Sequence, residues 1–177
     1  MFSNNINLDK IKTKYKPGIN LKNNEGITIL HKAASEGNIP IINFFLSKGI
    51  DIDIREDNYN YTPLHFAVIY GKLNMVKHLI NKGAKINSVN INNVNSLYLA
   101  VGFNYLKITE FLLKNKANVN IVIQPSRDTS LHIASSNGNI NIIKLLLQYG
   151  ANKKARNNYN YLPINKSNNN DIKNLLK

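Results

Sequence analysis

Four leucines, Leu30, Leu64, Leu97 and Leu131, stand 34, 33 and 34 residues apart, and each opens the same kind of segment. The lines read Thr28-Ile29-Leu30-His31-Lys32-Ala33-Ala34-Ser35-Glu36-Gly37, Thr62-Pro63-Leu64-His65-Phe66-Ala67-Val68-Ile69-Tyr70-Gly71 and Thr129-Ser130-Leu131-His132-Ile133-Ala134-Ser135-Ser136-Asn137-Gly138. A degraded copy, Asn95-Ser96-Leu97-Tyr98-Leu99-Ala100, lies between the last two. Self-similarity at such a period is the mark of a chain built from stacked supersecondary units.

A second apolar segment follows each line at constant offset: Ile41 to Leu46, Met75 to Ile80, Ile108 to Leu113 and Ile142 to Leu147. Apolar residues such as Ile140, Ile143, Leu146 and Leu147 recur at three and four, which is helical spacing. Two short helices per unit are therefore predicted. Thr28, Thr62, Asn95 and Thr129 stand where a side-chain oxygen caps the first helix, and Pro40 falls in the first turn of a second helix. Gly37, Gly71 and Gly138 fit the turn between helices, and Gly49, Gly83 and Gly150 fit the end of the second. Helices of about eight residues do not persist alone, so their stability must come from apolar faces shared with neighbouring units. The four leucines are predicted core.

With these residues in view the chain resembles the ankyrin-repeat family. Thr62-Pro63-Leu64-His65 carries that family's opening line in full, and Ala84-Lys85-Ile86-Asn87 and Ala117-Asn118-Val119-Asn120 resemble its lead into the next finger. The resemblance extends from about Pro17 to Lys177. It implies an all-α solenoid in which each unit is a β-turn finger followed by two antiparallel helices. Repeats are expected at 22–54, 55–88, 89–121 and 122–155. Residues 1–21 form an N-terminal segment whose Leu8 and Ile11 suggest a capping helix. Residues 156–177 form a polar capping half-repeat, with Leu162-Pro163-Ile164-Asn165 at the motif position and Leu175 and Leu176 closing it. The third repeat departs from the pattern: Tyr98 replaces His, and Asn104 and Lys116 replace glycines. Lys in a left-handed position costs about 1–2 kcal/mol, so a locally irregular or less stable third repeat is expected.

Composition narrows the chemistry. With no Cys, neither a disulfide, a thiolate metal site nor a thiol nucleophile exists. No apolar stretch is long enough to cross a bilayer, and a soluble protein is expected, cytoplasmic or delivered into a host cell. The net charge of +13 would attract anions, yet it comes from 20 Lys and three Arg amid 33 Asn. That bias fits an AT-rich coding sequence, and the scarcity of the bidentate Arg makes nucleic acid a disfavoured partner. His31, His65 and His132 recur in the motif, about 8–10 Å apart at helix spacing, too far to share one metal ion. The resemblance implies that they hydrogen-bond backbone between neighbouring fingers. His78 reads as surface. No nucleophile elbow or phosphate-binding loop appears, so a non-enzyme without cofactor or metal is expected. Of the acidic cluster Asp51-Ile52-Asp53 and Glu56-Asp57, Asp57 is expected to stabilise a finger turn. The basic stretches Lys10 to Lys16 and Lys153-Lys154 with Arg156 fit solvated caps.

In the family partners lie against the fingers and the exposed side of the first helices. Carried over by position, the resemblance implies a partner-binding set of Tyr59, Tyr61, Ile69, Tyr70, Asn92, Val94, Phe103, Tyr159 and Tyr161. Asn58-Tyr59-Asn60-Tyr61 returns in the same phase as Asn158-Tyr159-Asn160-Tyr161. Exposed aromatics are the common anchors of protein interfaces, whereas a duplicated finger could equally retain Tyr to shield its backbone. The expectation is a monomeric adaptor for a protein partner, an acidic one being favoured by the charge. The alternative is a binder of nucleic acid or another anionic surface.

Overall fold

The computed structural model describes Asp9 and residues 22–177. The expected N-terminal capping helix with Leu8 and Ile11 lies outside the described residues. Among the described residues there are nine α-helices: α1 Ile29–Glu36, α2 Ile39–Ser47, α3 Pro63–Ile69, α4 Leu73–Asn81, α5 Ser96–Gly102, α6 Leu106–Lys114, α7 Ser130–Ser136, α8 Ile140–Gln148 and α9 Asn170–Leu176. A 3-10 turn, Pro163–Lys166, precedes α9. Among the described residues β-pairing is confined to isolated antiparallel bridges, such as Lys22 with Thr28 and Val89 with Asn95. The fold is all-α.

The chain parts into two compact units, one through Lys85 and one from Ile86 onward. In the first, α1 pairs with α2 and α3 with α4, and α1 lies against α3. In the second, α5 pairs with α6 and α7 with α8, first helix packs on first helix and second on second, and α9 closes against α8 and the 3-10 turn. The motif leucines Leu30, Leu64, Leu97 and Leu131 are fully buried, as are Ile41, Ile42, Met75, Leu79, Leu112, Ile142 and Ile143. Each such side chain contributes roughly 1.5–3 kcal/mol on burial, which is how helices of seven to nine residues persist.

The alternation of 34- and 33-residue spacings has its origin in the fingers. Asn23, Asn90 and Asn157 close their fingers by donating a backbone N–H to the carbonyl four residues on. Glu56 and Ile123 donate to the carbonyl five residues on, Tyr61 and Asp128, so these fingers hold the extra residue. The helices are thereby kept in phase. In all five fingers the residue two before the helix N-cap has a positive φ: Gly26 71°, Asn60 60°, Asn93 60°, Arg127 58° and Asn160 62°. Asn tolerates that conformation through its short polar side chain.

The third repeat is not irregular. Its helices have the same seven and nine residues as α3 and α4. Asn104 and Lys116 adopt φ of 59° and 66°. Lys116 and Ala117 donate to Leu113 and Leu112 as Gly83 and Ala84 donate to Ile80 and Leu79. Lys116 thus follows the glycine path, and its cost is conformational strain without distortion of the neighbouring helices.

Candidate functional site: the finger face

Each first helix begins with a locking device. In repeat one the Thr28 N–H donates to His31 Nδ1 at 3.2 Å, with Thr28 Oγ1 2.8 Å from the same nitrogen. Repeats two and four copy it with Thr62 and His65 and with Thr129 and His132. Because Nδ1 accepts, the proton sits on Nε2, and in repeats one and four that N–H reaches the next finger. His31 Nε2 donates to the Tyr61 carbonyl at 2.9 Å and His132 Nε2 to the Tyr161 carbonyl at 3.0 Å. The backbone role implied by the resemblance is thus present for both histidines. Burial is the main cause that pulls His31 down to about 4, opposed by its bond to Tyr61, and it lowers His132 as well. In repeat three Asn95 does the capping instead: its Oδ1 accepts from the Tyr98 N–H at 2.8 Å and its amide donates to the Asn118 carbonyl.

Four of the five fingers are held from within by one polar side chain each, Asn23, Glu56, Asn90 or Asn157, whereas finger four has the apolar Ile123 at that position. Glu56, 3% exposed, accepts from the N–H groups of Asn58, Tyr59 and Tyr61 at 2.7, 2.7 and 3.0 Å. This corrects the expectation for Asp57, which instead pairs with Lys22 at the surface. Glu56 stands at the finger-closing position, as Asn90 and Asn157 do, and lies one residue further from its N-cap because finger two holds the extra residue. Asn90 Oδ1 takes the N–H groups of Asn92 and Val94, and Asn157 Oδ1 those of Tyr159 and Tyr161. Within the second unit the fingers are also tied to one another. Gln124 donates to the Asn92 carbonyl and Asn158 to the Ser126 carbonyl, each at 2.8 Å.

On this frame Tyr59 is 53% exposed, Tyr70 56%, Phe103 49%, Tyr159 68% and Tyr161 51%. The Tyr59 and Tyr61 rings sit 6.2 Å apart and those of Tyr159 and Tyr161 6.4 Å apart. Tyr70 stacks beside Phe66, and Phe103 beside Tyr105. Tyr70 and Phe103 are the C-caps of α3 and α5. Asn92 is exposed, while Tyr61 and Ile69 are half-buried. Val94 departs from the expectation: at 8% exposure it belongs to the core. Position and backbone bond do not decide this, since Tyr161 also precedes its N-cap and donates to Asn157 yet is 51% exposed; the shorter Val94 side chain is enclosed where the tyrosine ring is not. Asp128, one step before Thr129, is buried and accepts from the Asn157 amide. Sequence reasoning missed Ile91 and Leu106, both exposed. It also missed Arg55 and Arg156, whose Nη1 groups donate to the carbonyls of Asn60 and Asn160 at 2.8 and 2.9 Å. The signal for the arginines was there, since each precedes a copy of Asn-Tyr-Asn-Tyr.

Among the described residues no three His, Asp or Glu gather at metal-binding distance, and no helix is long and apolar enough to cross a membrane.

Comparison with known proteins points the same way. A family description of ankyrin repeats, in three copies, matches residues 3–90 and 87–157. The ankyrin repeat protein nuc-2 of Neurospora crassa is 36% identical over 126 residues, 69% of this chain and 11% of that protein. A probable 26S proteasome regulatory subunit p28 of Saccharomyces cerevisiae is 34% identical over 140 residues, 76% of this chain and 61% of that protein. A putative palmitoyltransferase, ZDHHC13 of Danio rerio, is 28% identical over 193 residues, 89% of this chain and 30% of that protein. The chain therefore spans less than two thirds of each of these relatives.

Proposed function

Since the chain belongs to the ankyrin-repeat family, whose repeats generally mediate protein–protein interaction, we propose that it is a non-catalytic module that holds a protein partner on its fingers and first-helix ends. One observation carries the reading. Among the described residues seven large apolar side chains are exposed, and five of them, Tyr59, Tyr70, Phe103, Tyr159 and Tyr161, belong to the finger and first-helix set. Large aromatics held on a hydrogen-bonded backbone lose little entropy on binding, which suits them as anchors. Asn92 and the half-buried Tyr61 and Ile69 complete the set at its edges.

The test is a variant with Tyr59, Tyr61, Tyr70 and Phe103 all replaced by Ala, compared with the parent chain for the proteins each captures from the native host. Capture reduced at least about tenfold, with helical content retained, is the expected result. Equal capture refutes the reading. The module is proposed to act as a monomer, and its finer form is a host-directed adaptor, supported by the Asn-, Lys- and Ile-rich composition.

The charge of +13 favours a second reading, contact with nucleic acid or another anionic surface. Phosphate binding weakens by orders of magnitude between about 50 and 200 mM salt, whereas an aromatic-anchored contact flanked by a few charges weakens by only a few-fold.

A further inference from the structure

The segment Asn-Tyr-Asn-Tyr is built twice on the same kinds of anchoring bond, in finger two (Asn58 to Tyr61), which holds one extra residue ahead of it, and in finger five (Asn158 to Tyr161). In both an arginine Nη1 donates to the carbonyl between the tyrosines, at 2.8 Å from Arg55 and 2.9 Å from Arg156. In both a motif histidine fixes the second tyrosine's carbonyl. The tyrosines do not serve merely to shield a finger. The finger of Asn90 to Val94 closes by the same backbone bonds without any aromatic residue.

What differs is the charge carried by the chain that leads into and forms each platform. Residues 51–62 hold one arginine against four carboxylates, Asp51, Asp53, Glu56 and Asp57, a net of −3. Residues 151–162 hold Lys153, Lys154 and Arg156 and no carboxylate, a net of +3. The hub residue makes part of the switch, because Glu56 holds one finger as an anion and Asn157 holds the other as a neutral amide. Asp128, which accepts from the Asn157 amide, lies 3.8 Å from Lys166 and is offset by it.

We infer that finger five docks an acidic, extended segment of the protein partner, its carboxylates toward Lys153, Lys154 and Arg156 and its apolar side chains against Tyr159 and Tyr161, and that finger two does not. The inference rests on the finger-face reading and names the partner's chemistry at one end of it. Charge complementarity selects between two otherwise alike platforms. A peptide fits better than an oligonucleotide, because the Tyr159 and Tyr161 rings are tilted by 32° with centroids 6.4 Å apart, rather than offered as parallel faces to successive bases.

The experiment is a titration of the isotope-labelled full chain with a blocked Glu-Asp-Leu-Glu-Asp peptide, followed through backbone amide shifts. Saturable shifts at 153–161 with little change at 55–61 are expected. Affinity should fall about tenfold in Lys153→Gln/Lys154→Gln and in Tyr159→Ala, and weaken by only a few-fold as salt rises from about 50 to about 200 mM. Equal shifts in both fingers, silence at 153–161, or undiminished binding in the lysine variant overturns the inference. So does a short single-stranded oligonucleotide that moves the same amides at lower concentration, which would put nucleic acid there instead. Should the peptide fail while the four-alanine variant still loses its captured proteins, the acidic assignment falls and the finger-face reading stands.

Discussion

A buried imidazole with its proton on Nε2 is a neutral linker, and acid acts against it. His31 titrates near 4 in the folded chain and near the ordinary 6.5 when unfolded. The unfolded chain therefore binds the extra proton first, so its stabilising contribution is full above pH 6.5 and is lost as pH falls toward 4. The loss amounts to about 3 kcal/mol for His31, with His132 adding in the same direction. Urea midpoints that drop steadily from pH 6.5 to 5, ahead of carboxylate protonation, are expected; flat midpoints there would contradict the linkage. Glu56→Ala strands three backbone donors of finger two and should cost about 3 kcal/mol, read as a lower thermal midpoint, whereas Asp57→Ala at the surface should cost well under 1 kcal/mol. At this scale legibility was uneven. The histidines and N-caps repeat at fixed positions and could be read, but Glu56 hides one residue before its expected place, in the finger that makes its repeat 34 residues long.

At the scale of elements, the helix pairs were legible because their apolar residues recur every three or four positions and their ends carry fixed capping chemistry. The finger geometry was not, since it depends on which side chain turns inward. Val94 is apolar, sits beside exposed positions and is buried, whereas Tyr161, with the same backbone bond to its hub asparagine, stays half exposed. Lys116 shows the converse, a residue unsuited by propensity that backbone bonds on both sides force into the left-handed region. Lys116→Gly should therefore stabilise the chain by about 1 kcal/mol, seen as a higher urea midpoint with unchanged slope. A lower midpoint would show that the lysine side chain contributes more than its strain costs. Leu97→Ala removes a fully buried anchor of α5 and should cost about 2–5 kcal/mol.

At the scale of the molecule, short helices stabilised by their neighbours leave the finger and first-helix residues free of the core, and aromatic side chains occupy that surface in both units. The family and the all-α architecture were legible from the period together with the Thr-Pro-Leu-His line and the helical spacing, while the contrast in charge between the two tyrosine fingers gained meaning only when their shared arginine and histidine bonds made them comparable. The most direct test is hydrogen exchange of the chain alone and with its captured partner bound. Added protection concentrated in the fingers and at the C-terminal ends of α3 and α5 is the predicted footprint. Protection gathered instead on α2, α4, α6 and α8, with the tyrosine fingers unchanged, would contradict it.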